Sequence, residues 1–222
     1  MDEPNLDDKA ALSQVSLLMI RLLIATGNHH KADEIRTMLG NEFQVEDLRD
    51  HPSLESPEET GITFEDNAII KALAASEKLP GVIVVADDSG LEVDALDGAP
   101  GVISARYAGL EATDVQNREK LKGALRDLVA KGSAEPFAGR FRCSMVIAKN
   151  NEVLASFDGT IEGHILLSEE GEGGFGYDPL FIPEGFEHSF GVLPATTKNQ
   201  LSHRFRALTQ VVGWVKAHAA AS

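Results

Sequence analysis

The sequence predicts an α/β fold built on a mixed β-sheet. In the first half of the chain, short apolar runs alternate with segments of helical spacing, an arrangement typical of α/β proteins. In the second half, two long strand-like runs flank Asn150-Asn151, and asparagine tolerates the left-handed backbone that tight hairpin turns need. The chain has 222 residues, 43% of them hydrophobic, so it can bury a sizeable core without disulfide bonds.

The first elements follow from apolar spacing. Residues 20–26 form an apolar run typical of a buried strand, and residues 30–39 have helical spacing. Residues 43–48 alternate apolar with polar side chains, which predicts a second strand. Residues 50–61 are rich in proline and glutamate, so we expect a loop there.

A capped helix and a further buried strand come next. Thr63 and Asp66 have the spacing of a capping box, and apolar residues follow at helical intervals. Residues 82–86 predict a buried strand that ends at Asp87-Asp88-Ser89-Gly90, after which residues 91–96 alternate again. The remaining predictions are a Gly/Pro loop at 98–109, a capped helix at 113–129, hairpin strands at 137–148 and 153–161, a glycine-rich loop at 171–176 and a last helix opening at Lys198.

Composition excludes several classes of protein. The 35 acidic residues outnumber the 20 basic ones, giving a net charge of −15, which disfavours a nucleic acid partner. The single Cys143 rules out an internal disulfide framework. No apolar run has bilayer length, and the acidic residues 1–18 are unlike a secretory signal. We therefore expect a cytoplasmic protein with no membrane partner, a dispensable extension at 1–18 and one domain over 19–217.

A candidate phosphate loop lies between the first strand and the first helix. Backbone N–H groups at a helix N-terminus bind phosphate, and a lysine adds a mobile cation. The alternative is an ordinary strand-to-helix turn with Asn28 as the N-cap. The adjacent histidines suggest a metal only weakly, because helix neighbours point in different directions. The segment reads Thr26-Gly27-Asn28-His29-His30-Lys31.

Two consecutive carboxylates follow the strand predicted at 82–86. Ligands of open α/β sheets bind outside the carboxyl ends of strands, and Asp87 and Asp88 at such an end favour a cation. Mg²⁺ held by one or two carboxylates and substrate phosphates is the natural candidate. The alternative is a turn in which both acids are solvated.

Two further segments contain groups suited to a flat ligand. In the loop around Gly171–Gly176, Phe175 and Tyr177 offer stacking faces, although the same aromatics could instead be core anchors. Its Gly-x-Gly-x-x-Gly pattern is not a dinucleotide motif, because no strand leads into it. The basic cluster of Lys198, His203, Arg204 and Arg206 can bind phosphate or donate to a carbonyl on a base. A solvated helix start is the alternative for that cluster.

Taken together, these segments resemble the inosine triphosphate pyrophosphatase family. The motifs occur in the family's order and cover about residues 20–215. They read Leu-Ile-Ala-Thr-Gly-Asn-x-x-Lys31, Glu-Glu-Thr-Gly-x-Thr-Phe-x-Asp-Asn-Ala-x-x-Lys-Ala72, Ala-Asp-Asp-Ser-Gly-Leu-x-Val-Asp94, Gly-Ala-Pro-Gly-Val-x-Ser-Ala-Arg-Tyr-Ala-Gly109, Gly-Gly-Phe-Gly-Tyr-Asp-Pro-Leu-Phe181 and Lys-Asn-x-x-Ser-His-Arg204.

The resemblance implies an elongated two-lobed mixed-sheet fold with the active site in the cleft between the lobes. It implies a homodimer that uses Mg²⁺ to hydrolyse non-standard purine nucleoside triphosphates, namely ITP, dITP and XTP, to the monophosphate and pyrophosphate. Asp88 is then the catalytic proton acceptor and a metal ligand, with Glu58 as a second metal ligand. The implied substrate-binding residues are Thr26, Gly27, Asn28, His29, His30, Lys31, Lys71, Ser89, Phe175, Gly176, Tyr177, Asp178, Lys198, His203 and Arg204.

The chain departs from the family at Phe205 and in residues 1–18, which have no family counterpart, and two other interpretations compete. Phe205 stands where family members usually have glycine, which puts packing near the base pocket in question. A Maf-like pyrophosphatase would keep the chemistry and change the base, but the Ser-His-Arg and Phe-Gly-Tyr-Asp motifs argue against it. A receiver-type sensor would use Asp87-Asp88 as a regulatory pair and would leave the phosphate loop without a purpose.

Overall fold

The computed structural model describes residues 19–219, and its strands form one six-stranded mixed sheet in the order β2-β1-β3-β4-β5-β6. Strand β1 pairs in parallel with β2 and β3, whereas β3 to β6 pair antiparallel. The predicted α/β class with a mixed sheet is confirmed. The strands are β1 (Ile20–Ile24), β2 (Phe43–Asp47), β3 (Ile83–Val93), β4 (Phe137–Lys149), β5 (Glu152–Ile165) and β6 (Phe181–Pro183).

Three of the helices begin at the predicted caps. Asn28 accepts a hydrogen bond from the Lys31 N–H, while Thr63 and Thr113 each form a reciprocal capping box. The helices are α1 (His29–Leu39), α2 (Phe64–Lys78), α3 (Asp114–Ala130), α4 (Ala195–Leu201) and α5 (His203–Ala219). None of the helices within residues 19–219 is long and apolar enough to cross a membrane. The extension predicted at 1–18 lies outside the described residues.

The predicted hairpin is confirmed, with β5 extending to Ile165. Asn150 and Asn151 have φ values of 55° and 61°, the left-handed region that hairpin turns need. The unpredicted β6 contains only three residues and pairs with the end of β5, so its sequence carries too short a pattern to detect.

The acidic pair does not lie at the end of a strand, which corrects the sequence prediction. Strand β3 continues from Ile83 to Val93 and includes both acids as well as residues 91–93, previously assigned to a separate segment. The reason is antiparallel pairing, because β4 bonds to β3 as far as Val93 opposite Gly139. Pairing of β3 with β1 stops at Val85, so Asp87 and Asp88 follow the point where β1 leaves the sheet.

The predicted last helix is divided into α4 and α5, a second correction. Ser202 has an extended backbone, and its N–H donates to the Lys198 carbonyl to end α4. The Ser202 hydroxyl then accepts the Phe205 N–H and caps α5. A serine that hydrogen-bonds nearby backbone groups favours such breaks, and the apolar spacing on either side does not reveal it.

The apolar core is divided between the two ends of the sheet. At one end, which we call the first lobe, Val85 and Ala86 of β3 and Val146 of β4 pack with α1, α2 and α5. At the other end, the second lobe, Leu91 of β3 packs with α3 and β6. Residues 87–90 of β3 lie between these cores, which positions polar side chains where the two lobes meet.

Candidate active site

A cleft with a volume of about 520 Å³ lies between the lobes. One end is lined by the loop after β1 and by Lys71 of α2, and the other end by residues 175–178 and the start of α5. Most of the predicted site residues therefore converge. The exceptions are His29 and His30, which are exposed and are not among the residues that line the cleft.

The loop after β1 is shaped by its own side chains. The Thr26 hydroxyl accepts the Asn28 N–H at 3.2 Å, and the Asn28 side chain accepts the Lys31 N–H at 3.2 Å. A Cβ atom on Gly27 would lie 3.1 Å from the Ser56 hydroxyl, so little space remains for a side chain there. The N-terminus of α1 consequently faces the cleft with a half-buried lysine beside it.

Asp87 is a fully buried carboxylate between two cations. Its Oδ2 atom lies 3.2 Å from Lys31 Nζ and 3.5 Å from a terminal nitrogen of Arg204. Burial would raise the pKa of Asp87, but Lys31 and Arg204 outweigh burial and lower the pKa to about 2. Asp87 Oδ1 has no hydrogen-bond partner among the described residues.

Asp88 has a different environment because consecutive strand residues point to opposite faces. It lines the cleft, with Oδ1 3.1 Å from Lys71 Nζ and Oδ2 accepting from the Asn67 amide at 3.3 Å. Burial raises the pKa of Asp88, and Lys31 and Lys71 only partly oppose this effect. Asp88 is thus the better proton acceptor of the pair.

The carboxylates near Asp88 suit a hard cation that also binds substrate. Glu58 and Glu59 line the same cleft, and Glu59 bridges Lys71 at 2.9 Å and Arg106 at 3.0 Å. Within residues 19–219, no group of three or more His, Cys, Asp or Glu side chains could hold a metal ion alone. Carboxylate oxygens completed by phosphate oxygens match the usual coordination of Mg²⁺, and Asp88 and the exposed Glu58 supply oxygens of this kind on the wall of the cleft.

At the other end of the cleft, a glycine-rich loop carries an aromatic ring. Phe175 stacks on His30, with ring centroids 5.4 Å apart, and Lys198 Nζ lies 4.5 Å from the Phe175 ring centroid. Asp178 is buried and accepts the Phe175 N–H at 2.9 Å and Lys198 Nζ at 2.6 Å. Gly174 has φ +72°, and a Cβ there would collide with the Asp178 carboxylate.

Tyr177 is a core anchor, which was the alternative interpretation of this aromatic. Its side chain is buried, and its hydroxyl donates to the Ser104 carbonyl at 2.9 Å. The ring borders the cleft, but it packs with the apolar core of the second lobe. Phe175 is therefore the more accessible stacking face.

The basic cluster is buried, so the solvated-helix alternative is wrong for three of its four members. Lys198, His203 and Arg204 are buried, whereas Arg206 is exposed and donates to the Thr160 carbonyl. Glu34 of α1 accepts both Lys198 Nζ and Arg204 at 2.6 Å. Arg204 also donates a hydrogen bond to the Ser89 hydroxyl at 2.9 Å.

His203 is a neutral imidazole, and one of its ring nitrogens has no hydrogen-bond partner among the described residues. Burial lowers the pKa of His203 well below its usual value, and Arg204 and Lys198 lower it further. The His203 ring stacks on Phe141 at a centroid distance of 4.9 Å. His203 Nδ1 and Arg204 Nε are buried without hydrogen-bond partners among the described residues, which is costly unless a ligand supplies them.

A family model described as the Ham1 family matches residues 22–214 of this sequence. The chain belongs to the Ham1 family. Among its relatives, the dITP/XTP pyrophosphatase of Halalkalibacterium halodurans is 44% identical over 194 residues, covering 87% of this chain and 97% of the relative. The dITP/XTP pyrophosphatase of Desulforamulus reducens is 43% identical, and the match covers 87% of this chain and 94% of the relative.

Solved Ham1-family structures agree with the fold. The HAM1 protein from Coxiella burnetii has a TM-score of 0.78 and 35% identity, covering 90% of this chain and all of that protein. The nucleoside-triphosphatase, or dITP/XTP pyrophosphatase, from Mycobacterium abscessus has a TM-score of 0.66 and 36% identity, and the match covers 86% of this chain and 98% of that protein. The expected mixed-sheet fold of this family is confirmed, and the receiver-type reading is not supported.

The Ham1-family site also contains residues that the sequence analysis missed. Glu34 lies one turn after Lys31 on α1, and Arg106 and Asn67 fall within motifs recognised above. Helical spacing from Lys31 could have revealed Glu34, but no local pattern indicates its partners 164 and 170 residues away. Phe205, whose bulk raised a question, is half-buried and does not line the cleft.

Proposed function

We propose that this protein hydrolyses ITP, dITP and XTP to the nucleoside monophosphate and pyrophosphate, and thereby removes non-standard purines from the nucleotide pool. The observation that carries the proposal is one cleft with two chemically different ends. Cations and a helix N-terminus converge at one end, and an aromatic ring with buried, unpartnered nitrogens lies at the other. The names of the relatives, dITP/XTP pyrophosphatases, point to the same substrates.

The triphosphate is proposed to occupy the end formed by residues 26–31. The N-terminus of α1 offers backbone N–H groups to phosphate oxygens. Lys31 and Lys71 pair with Asp87 and Asp88, and phosphate oxygens offer these lysines an alternative anionic partner. Arg106, held by Glu59 at 3.0 Å, lines the same cleft and adds a further cation.

Asp88 is proposed to accept the proton of the water that attacks the α-phosphorus. Its burial in the cleft raises its pKa, which strengthens the carboxylate as a base. Asp88 and Glu58 would also hold Mg²⁺, and this ion, when bound, neutralises phosphate charge and lowers the pKa of attacking water. The Asn67 amide would keep the Asp88 carboxylate oriented through its 3.3 Å contact.

Base selection is proposed to come from His203 and Arg204. A 6-keto purine presents an acceptor where adenine presents an amino donor, so buried N–H groups pair with the first and not with the second. Leaving such a donor unpaired costs roughly 1–3 kcal/mol. Phe175 can stack on any purine, so it contributes affinity but does not distinguish one purine base from another.

The decisive experiment is a product assay on the purified protein. ITP, dITP, XTP and ATP are supplied with Mg²⁺, and pyrophosphate and orthophosphate are quantified separately. We expect pyrophosphate and monophosphate in equal amounts from the first three, little turnover of ATP, and loss of activity with EDTA. Orthophosphate as the first product, or equal rates with ATP, would contradict the proposal.

The remaining expectations from the family resemblance are proposed here as well. We propose a homodimer in the cytoplasm. Sedimentation of the purified full chain at several concentrations tests the dimer, which predicts a mass close to twice 23.8 kDa. Fractionation of the cells that produce the protein tests its location.

A further inference from the structure

Helix α3 presents a polar stripe to the loop that carries Phe175. Four of its residues are spaced four apart, so they lie along one face of the helix. All four contact the segment 167–176, which contains no helix or strand. The residues are Asp114, Arg118, Lys122 and Arg126.

Two of these contacts fix the residue that follows the aromatic ring. The Gly176 N–H donates to the Asp114 carboxylate at 2.7 Å, and the Gly176 carbonyl accepts from Arg118 at 2.8 Å. Both polar backbone groups of Gly176 are therefore tied to α3. Gly176 has φ +58°, so the peptide after Phe175 is held in a conformation that few other residues adopt.

The other contacts hold the start of the same segment. Arg118 Nε lies 3.0 Å from the Glu169 carboxylate, and Lys122 Nζ lies 2.9 Å from it. Arg126 is exposed and donates to the Leu167 carbonyl at 3.0 Å. Backbone hydrogen bonds from Glu170 to Pro179 and from Gly173 to Gly191 hold the middle of the segment, so the α3 side chains add anchors at its start and at Gly176.

We propose that Asp114 and Arg118 are positioning residues that set the place of the Phe175 ring over the base pocket, acting through Gly176. This role rests on the proposed function, because it assumes that a base stacks on Phe175. Asp114 also lines the cleft, whereas Arg118 does not, so the effect of Arg118 on a substrate there must pass through the loop. Without these anchors, the ring occupies its binding position for a smaller fraction of the time.

If the loop holds Phe175 in its binding position for a smaller fraction of the time, the affinity for substrate falls by the same factor. Because stacking on the base is equal in the ground and transition states, the loss falls on KM and leaves kcat unchanged. We expect Arg118→Met to raise KM for ITP about 3- to 10-fold. The increase must be smaller than that caused by Phe175→Ala, which removes the ring altogether.

The test is a double-mutant cycle with a matched control. Arg118→Met, Phe175→Ala and the double variant are assayed with ITP for kcat and KM, and thermal unfolding is measured for each. Arg126→Met is the control, because it removes a contact from the same stripe far from Phe175, and we expect its KM to match wild type. Asp114→Ala should behave like Arg118→Met, whereas Asp114→Asn, which retains an acceptor oxygen, should restore most of the binding.

Non-additivity decides the outcome. If the role is correct, Arg118→Met changes KM in the wild-type background and has almost no effect once Phe175 is alanine. An unchanged KM in Arg118→Met, or the same fold-change in both backgrounds, would overturn the role. If Arg118→Met yields too little folded protein, Asp114→Ala and Asp114→Asn complete the same cycle. Failure of the wild-type protein to release pyrophosphate from ITP would overturn the proposed function and the role with it, whereas an unchanged KM in Phe175→Ala would overturn the role alone, because no base would then stack on Phe175.

Discussion

The two ends of the cleft are built in different ways. At the phosphate end, residues 26–31 are contiguous and their contacts are local, such as the cap that Asn28 provides for α1. At the base end, Glu34 meets Lys198 and Arg204 across 164 and 170 residues of sequence. The phosphate-binding loop is thus defined locally, although Lys71 and Asp88 complete that end from α2 and β3, whereas the basic cluster of the base end exists only when α1, α4 and α5 have packed together.

The charges of the two ends also differ in burial. At the phosphate end, Lys31 and Glu59 remain half-buried although their partners Asp87 and Lys71 are buried, whereas Arg204 and Asp178 at the base end are both buried. A partly open ion pair can exchange its partner for a phosphate oxygen at little cost, while a buried pair is costly to break and holds a fixed geometry. The comparison assigns reactivity to the phosphate end and selectivity to the base end, and the predictions below test that division.

The largest effect is expected at the phosphate end, from Asp88→Asn. The amide keeps the shape of the side chain but cannot accept a proton, and general-base catalysis contributes about 10²–10⁴-fold to rate. We expect kcat for ITP to fall by that factor while the ITP-to-ATP preference in binding is retained. Steady-state kinetics at saturating Mg²⁺ measure the first quantity, and thermal unfolding controls for folding. Near-normal turnover would show that Asp88 has only a structural role.

The next effect is expected at the base end, from Arg204→Lys. Alanine would remove one of the two cations that Glu34 and Asp87 each contact, so lysine is the better replacement because it keeps the positive charge. Loss of the guanidinium donors should reduce the ratio of kcat/KM for ITP over ATP by roughly 5- to 150-fold, the equivalent of about 1–3 kcal/mol. Phe175→Ala is the control, since it should weaken both substrates alike. Equal losses for ITP and ATP in Arg204→Lys would show that Arg204 does not read the base.

A pH-dependent effect on stability is expected from Glu34→Gln. Burial opposes ionisation of Glu34, but Arg204 and Lys198 outweigh it and lower the pKa of Glu34 below its usual value. A lowered pKa in the folded state means that the stabilisation is present above the unfolded value of about 4.3 and is lost as the pH falls through the folded value. Glu34→Gln should therefore destabilise the protein by roughly 1–3 kcal/mol near neutral pH.

The measurement for Glu34→Gln is urea unfolding of both proteins from pH 7 to pH 3. The difference in free energy of unfolding should be greatest above about pH 5 and should shrink below about pH 4. Asp33→Asn is a matched control on the same helix, because Asp33 pairs with Arg49 at the surface and a surface pair contributes little, about 0–1 kcal/mol. A difference between Glu34→Gln and wild type that is independent of pH would exclude the ion-pair explanation.

The same contrast explains how much could be predicted from sequence. Caps such as Thr63 and the turn at Asn150 are local, and both were predicted correctly because the residues that form them are neighbours. The prediction that Asp88 follows the end of a strand was wrong, because β3 continues through Asp88 to Val93. Beyond Val85, β3 is continued by pairing with the antiparallel strand β4, whose partner residues lie 46 to 60 residues later in the sequence.

Residues of the base end were found by type and motif, and their environment was not. Lys198 and His203 were named as candidates, but a solvated helix start remained open because burial depends on tertiary packing. Glu34, which neutralises that cluster, was missed for the same reason: its partners lie on α4 and α5. Sequence motifs therefore identified the residues proposed to bind substrate, such as His203, more readily than Glu34, which pairs with them in the folded protein.

The smallest effect is expected from Tyr177→Phe, which separates support of the base end from recognition there. The Tyr177 hydroxyl donates to the Ser104 carbonyl at 2.9 Å, and its removal should lower the free energy of unfolding by about 1 kcal/mol. Phenylalanine keeps the ring in the second-lobe core, so kcat/KM for ITP and for ATP should stay within about twofold of wild type. Urea unfolding and kinetics on the same preparation test both statements. A loss of ITP activity without a loss of stability would mean that the Tyr177 hydroxyl contacts substrate, and Tyr177 would then belong with Phe175 among the groups that bind the base.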